Sequence, residues 1–211
     1  MQNGFFITGT DTNVGKTVLS ALLCASLPAR YWKPIQTGSI EGTDCRQVRE
    51  WAALDESQTI PEVYVFDDPV SPHLAARRAG ASISLEPIKL PNNPSGTTLI
   101  VEGAGGVLVP INDAQSMIDL MRHLALPVII ASRSTLGTIN HTLLTLQSLR
   151  SAHVEVKGVV AIGPPDAENE NAIERYGNVE LIGRIPILKE INRESLRSAF
   201  QQHFRQSAFA V

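Results

Sequence analysis

Apolar residues recur along this chain in two alternating rhythms. Nearly unbroken apolar runs of strand length occupy residues 4–8, 98–101, 127–131 and 156–162. Runs without a polar alternation suit strands covered on both faces, as in a parallel sheet. Between and after them, at 16–27, 116–124 and 138–150, apolar residues return every three or four positions, the spacing of a helix with one buried face. Pro28 stops the first of these helices. Shorter signals predict strands at 30–33 and 179–182. Further helices are predicted at 44–54, capped by Thr43 or Asp44, at 72–78, entered through Ser71-Pro72, and at 168–177. A closing helix over 193–205 sets Leu196, Phe200 and Phe204 four apart on one face. The least patterned stretch, 85–97 (LEPIKLPNNPSGT), reads as a surface connection. Strands alternating with helices predict an α/β fold, a doubly wound and mostly parallel sheet whose ligands lie beyond the carboxyl ends of the strands.

Composition narrows the classes. With 211 residues, 43% of them apolar, and a net charge of −3, residues 1–211 are expected to form one domain with a full core. Only Arg77-Arg78 sets two cations side by side, which argues against a nucleic-acid partner. Residues 1–8 lack the pattern of an export signal and no apolar run reaches the ~18 residues of a membrane span, so a cytoplasmic location without membrane contact is expected. Cys24 and Cys45 are too few for a disulfide framework, and the five histidines never fall within a helical turn of one another, which argues against zinc.

The candidate chemistry begins at residues 9–17, GTDTNVGKT, between the first strand and the first helix. A phosphate loop needs inward N–H groups, an ammonium near the outer phosphates and a hydroxyl for magnesium at the helix start. Gly15, Lys16 and Thr17 supply these in order. Five residues, Thr10 through Val14, replace the usual four, so either the entry tolerates Thr10 or Gly9 serves through a longer loop. LIVEGAGG, 99–106, places Glu102 at the end of another apolar strand, where a carboxylate suits Mg²⁺, followed by glycines 103, 105 and 106. Lys33, in YWKPIQTGS, either enters the same crevice or is an exposed structural lysine. Asp44 either caps a helix or ligates magnesium. In RSTLGTINHT, 133–142, Leu136-Gly137-Thr138 puts a helix start at the crevice, where it either attracts an anion or is simply capped by Thr138.

Five segments, GTDTNVGKT, YWKPIQTGS, SPHLAARR, VEGAGGVLVP and RSTLGTINHTLLT, spanning residues 9–145, resemble the dethiobiotin synthetase family in this order. The resemblance implies a P-loop NTPase-type fold that uses ATP and Mg²⁺, with 7,8-diaminononanoate as substrate and bicarbonate-derived CO₂ as the one-carbon donor. It also implies a homodimer with the substrate at the interface. Carried over motif by motif, Lys16 and Thr17 would hold the outer phosphates and magnesium, with Asp44 and Glu102 as further metal ligands. Lys33 would be the catalytic lysine. Thr12 and Thr37 would bind the substrate or its carbamate, and Gly137, Thr138, Ile139 and Asn140 would grip its carboxylate from the neighbouring subunit. The nucleotide would also contact Asn13, Val14, Gly15 and Val18, together with Gly103, Ala104 and Gly105.

Three departures from the family pattern stand out. Asn13 replaces a frequent Glu. Ile162-Gly163 stands where an Asn would meet adenine, so base contacts would fall to backbone groups there and near Pro186, Ile187 and Leu188, with relaxed base choice expected. Residues 85–97 replace an expected helix. The rival readings are an amidotransferase-type ligase of the cobyrinate group, for whose glutaminase domain 211 residues leave no room, and a nucleotide switch of the partitioning or septum-placement type. The switch type usually carries a second lysine early in the phosphate loop, and positions 10–14 hold none.

Overall fold

The structure, a computed structural model, describes residues 3–209. The first strand, β1 (Gly4–Gly9), is buried along its whole length and hands the chain through a loop to α1 (Lys16–Ser26). Leu19, Leu22 and Leu23 give that helix its buried face. It ends where Leu27 turns extended ahead of Pro28, which has no N–H to continue the ladder. Then follow β2 (Ala29–Trp32), β3 (Ile35–Thr37), α2 (Asp44–Ala52), β4 (Thr59–Ile60), β5 (Tyr64–Phe66) and α3 (Pro72–Arg78). The second half alternates regularly: β6 (Thr98–Gly106), α4 (Met117–Leu124), β7 (Val128–Arg133), α5 (Thr138–Ser151), β8 (Val156–Ile162), α6 (Ala167–Gly177), β9 (Leu181–Ile185) and α7 (Arg193–His203).

Seven strands make one sheet in the order β4-β2-β6-β1-β7-β8-β9, and every pairing between them is parallel. Alternate residues of each strand enter opposite cores. Phe5, Ile7, Ile100 and Ile129 pack with α1, α2 and α7, whereas Phe6, Leu99, Val101 and Val128 pack with α3 to α6. The chain leaves β1 for β2 on one side and β6 for β7 on the other, so the strand order reverses around β1, the place where such sheets open a binding crevice. The register reinforces the opening: Ile7 faces Glu102 but Gly9 faces Gly106, so β6 carries two extra residues in a bulge there.

Several expected boundaries shift. Thr43, not Asp44, caps α2, its hydroxyl accepting the Arg46 N–H, and the helix stops at Ala52 because Ala53 turns left-handed. The last strand lies at Leu181–Ile185, displaced toward the carboxyl end from 179–182. The stretch 85–97 has no helix or strand, yet it is more than a surface connection, since Leu85 and Ile88 are buried in the core beside α4. The short strands β3, β4 and β5 have no counterpart among the expected elements. β3 and β5 pair in parallel as a separate two-stranded sheet.

Candidate active site

At the end of β1 a side chain on Gly9 would start 2.6 Å from Val14 Cγ2 and 2.8 Å from the Asp11 carbonyl oxygen. Glycine is therefore required at position 9, and the longer loop is entered there. Thr10 keeps its side chain, with its N–H donating to the Ala131 carbonyl at 3.0 Å. Asn13 (φ 58°) and Gly15 (φ 97°) both turn left-handed, which curls the loop into the concave form that binds anions. A Cβ on Gly15 would also sit 2.9 Å from Ile162 Cδ1, so the loop lies directly against the end of β8. Lys16 Nζ reaches back across the concavity to the Asp11 carbonyl at 3.1 Å. Outside the loop, Arg133 Nη2 donates to Asp11 Oδ2 at 2.9 Å.

Opposite the loop, Glu102 on β6 is 1% exposed and accepts hydrogen bonds on both carboxylate oxygens. Oε1 accepts from the Thr17 hydroxyl at 2.9 Å and from Lys33 Nζ at 3.3 Å. Oε2 accepts from Ser20 Oγ at 2.7 Å and from the Tyr31 hydroxyl at 3.0 Å. Lys33, just past β2, also pairs with Asp44 Oδ2 at the start of α2. Burial lowers the pKa of Lys33, but Glu102 and Asp44 outweigh it and hold the ammonium above its ordinary value. Lys16 goes the other way: burial is the largest influence, the Glu102 carboxylate offsets only part of it, and nearby Lys33 lowers it further. Burial, and then the charge of Glu102, push the Tyr31 phenol well up.

These groups open on one cavity of about 790 Å³, lined by Thr12, Asn13, Gly15, Lys16, Thr17, Val18, Lys33, Thr37, Asp44, Glu102, Ala104 and Gly105 among the residues singled out above. Val14 is buried behind the loop, and Gly103 lets β6 pass the Phe6 ring, which its Cβ would meet at 2.8 Å. The lining also includes Gln36, Ser71 and Pro72, to which the sequence patterns gave no role in the site, and Glu41, Trp51, Pro69 and Val70, which they did not single out. Gln36 is the most informative of these. It is buried in β3, its Oε1 accepts the Asp44 N–H at 3.1 Å, and its Nε2 donates to the Thr37 carbonyl at 2.7 Å. Its place between Lys33 and Thr37 in YWKPIQTGS was the signal available for it. Ser20 had a fainter one, lying one helical turn beyond Thr17, and Tyr31 had none.

The cradle suits a nucleotide with magnesium. Thr17, Asp44 and Glu102 offer hard oxygen donors around the place where Lys33 brings its ammonium. The described residues contain no group of three or more His, Cys, Asp or Glu placed to hold a metal by themselves. Two carboxylates and a hydroxyl, completed by phosphate oxygens and water, are the usual complement for Mg²⁺.

Two expected groups lie outside this cavity. Gly137 (φ 93°) is the N-cap of α5, so the helix is not capped by Thr138. The Thr138 hydroxyl is buried against Ser132 Oγ at 2.7 Å, Ile139 is partly buried and Asn140 is exposed. The next two turns of α5, through His141, Leu144, Thr145 and Ser148, line an adjoining pocket of about 410 Å³ that shares Thr12 with the main cavity. The second group is Ile162, Gly163, Pro186, Ile187 and Leu188, at and beyond the ends of β8 and β9. Gly163 (φ 127°) donates its N–H to the Ile185 carbonyl at 2.9 Å, Ile187 is exposed and Leu188 packs at the edge of the core formed with α1, α2 and α7.

A family profile described as an AAA domain matches residues 3–195. The chain is 45% identical to the ATP-dependent dethiobiotin synthetase BioD of Agrobacterium fabrum, over 99% of this chain and 98% of that protein. It is 42% identical to the ATP-dependent dethiobiotin synthetase BioD of Rhodopseudomonas palustris, over 99% and 97% of the two chains. Among solved structures it resembles the septum site-determining protein MinD complexed with Mg-ADP from Pyrococcus horikoshii. That likeness has a TM-score of 0.52 at 13% identity, over 94% of this chain and 86% of the other, and it shows the fold. With identity over nearly the full length, four of the five motifs lining one cavity and the fifth lining the pocket beside it, the chain belongs to the family of ATP-dependent dethiobiotin synthetases.

Proposed function

We propose that this chain, acting as a single catalytic domain in the cytoplasm, uses ATP and Mg²⁺ to close the ureido ring of dethiobiotin from 7,8-diaminononanoate and CO₂. The observation that carries this reading is the convergence of Lys16, Lys33, Glu102 and Asp44 on one cavity large enough for the nucleotide's terminal phosphates and a small substrate. One substrate amine takes up CO₂ as a carbamate and releases a proton. A carbamate oxygen then attacks the γ-phosphorus and ADP leaves. The second amine attacks the carbonyl carbon of the mixed anhydride, inorganic phosphate departs and the ring closes.

Most of the work in such a sequence is positioning and charge neutralisation. Lys16 leaves the Asp11 carbonyl to meet the outer phosphates. Lys33, held as an ammonium, faces the carbamate and the oxygen it transfers to phosphorus, so it acts as a cation and not as a base. Thr37, fixed by Gln36, lies on the substrate side. Thr17, Asp44 and Glu102 would hold magnesium, which would supply positive charge to offset that of the phosphates. Asn13, Val14, Gly15, Val18, Gly103, Ala104 and Gly105 form the nucleotide's cradle. The base lies toward Ile162, Gly163, Pro186, Ile187 and Leu188, where no side-chain amide reads it.

The same reading makes the enzyme a homodimer. Leu136 is fully exposed, and Leu108 and Leu144, 65% and 54% exposed, border or line the pocket beside α5. A second copy covering this face would bury them and bring its own helix start toward the substrate carboxylate, which gives Gly137 to Asn140 and Thr12 their roles. The deciding assay measures nucleotide hydrolysis with and without diaminononanoate and bicarbonate, following dethiobiotin by mass. Hydrolysis that depends on the diamine and yields dethiobiotin supports the proposal. Slow hydrolysis indifferent to the diamine would replace it with a nucleotide switch.

A further inference from the structure

Glu102 is buried with two unlike sides. Its Oε1 faces the cavity, in contact with Thr17 and Lys33, and its Oε2 faces the core, where Ser20 and Tyr31 donate to it. Both rear donors are fully buried, one on α1 and the other on β2, so two different elements grip the same oxygen. Tyr31 lies in β2 between Arg30 and Trp32, its side chain packs in the core beside α1, and its hydroxyl donates to no group other than Glu102 among the described contacts. We propose that Tyr31, together with Ser20, is a positioning residue that sets the rotation of the Glu102 carboxylate and so presents Oε1 to the metal-nucleotide complex.

The physical argument is one of orientation. A carboxylate on a flexible side chain turns about its last bond over a broad range, because that torsion has no sharp wells. Two donors on one oxygen, fixed to separate backbone elements, remove that freedom, and they leave the lone pairs of the other oxygen directed at the cavity. A hydroxyl bond to a charged acceptor is among the stronger hydrogen bonds in a protein. Tyr31 itself is closed off from the cavity, so it acts only through Glu102.

This inference rests on Glu102 being a metal ligand, and the experiment separates the two ideas. Binding of Mn²⁺ in the presence of ADP is followed by electron paramagnetic resonance in the wild type, Tyr31→Phe, Ser20→Ala and Glu102→Gln, and binding of ADP alone is measured by calorimetry. For Tyr31→Phe the expected result is an Mn²⁺ affinity about tenfold weaker, the size expected for losing a bond to a charged group, with metal-free ADP affinity unchanged. In turnover, the apparent requirement for Mg²⁺ rises while KM for the diamine stays put, a split that a general loosening of the fold would not produce. Ser20→Ala, which deletes the other donor to the same oxygen, shifts metal binding in the same direction and serves if Tyr31→Phe does not fold. Wild-type Mn²⁺ affinity in both Tyr31→Phe and Ser20→Ala would overturn the positioning role and leave Glu102 as a ligand. Wild-type affinity in Glu102→Gln would overturn the ligand assignment, and the positioning role with it.

Discussion

The two buried lysines face the same carboxylates and are set in opposite ways. Lys33 is held charged by Glu102 and Asp44, whereas Lys16 carries its charge at a cost, because burial outweighs the attraction it receives. A lysine whose folded pKa lies below the unfolded one weakens the fold at any pH below the unfolded value, neutral pH included. Lys16→Met, which keeps the aliphatic stem, should therefore raise the Tm of the nucleotide-free protein by a few degrees while removing nucleotide binding. Calorimetric melting and ADP titration check both halves. Lys33→Ala should abolish dethiobiotin formation in the mass assay. The Thr17, Ser20 and Tyr31 donors remain to hold Glu102, so circular dichroism should still show the native fold. Unaltered product formation by that variant would remove Lys33 from the chemistry.

The phosphate loop shows how an element inherits its shape from a single residue. Gly9→Ala would drive a methyl group into Val14 and the Asp11 carbonyl, one of them backbone, and the loop would have to open. The expected cost is about 1–3 kcal/mol of stability, read by urea denaturation, together with a marked loss of nucleotide affinity. The loop, its helix and the apolar strands were legible in the sequence because their signals are local: a glycine-rich turn between a buried strand and a helix, and runs apolar on both faces. The strands β3, β4 and β5 were not, since two or three residues are too few for a period to show. Boundaries moved for equally specific reasons, such as Ala53 turning left-handed at the end of α2. In the site, Lys16, Thr17 and Glu102 announced themselves by motif. Spacing alone left Lys33 and Asp44 open and the family resemblance gave them roles, while the fold adds that they pair across the length of β3. Tyr31 acts through Glu102, far along the chain, and Gln36 through the first amide of α2 across a non-helical turn, and no spacing rule reports either contact.

At the scale of the whole molecule, the pocket beside α5 leaves apolar surface open, with Leu108 and Leu144 of its lining largely exposed. Sedimentation should find a dimer. Leu144→Glu should shift it toward monomer and raise KM for the diamine, while ADP binding to the single chain persists. A fully dimeric Leu144→Glu protein would place the interface elsewhere. The cleft itself is bounded by two unequal walls. Its phosphate side is built on the seven-stranded sheet, with core on both faces, whereas Gln36 and Thr37 belong to β3, whose strand partner is β5 alone. Hydrogen exchange should therefore see the amides of β3 and β5 released together and earlier than those of β1 and β6. On gentle warming, the enzyme would keep its grip on nucleotide after its hold on the diamine had already lapsed.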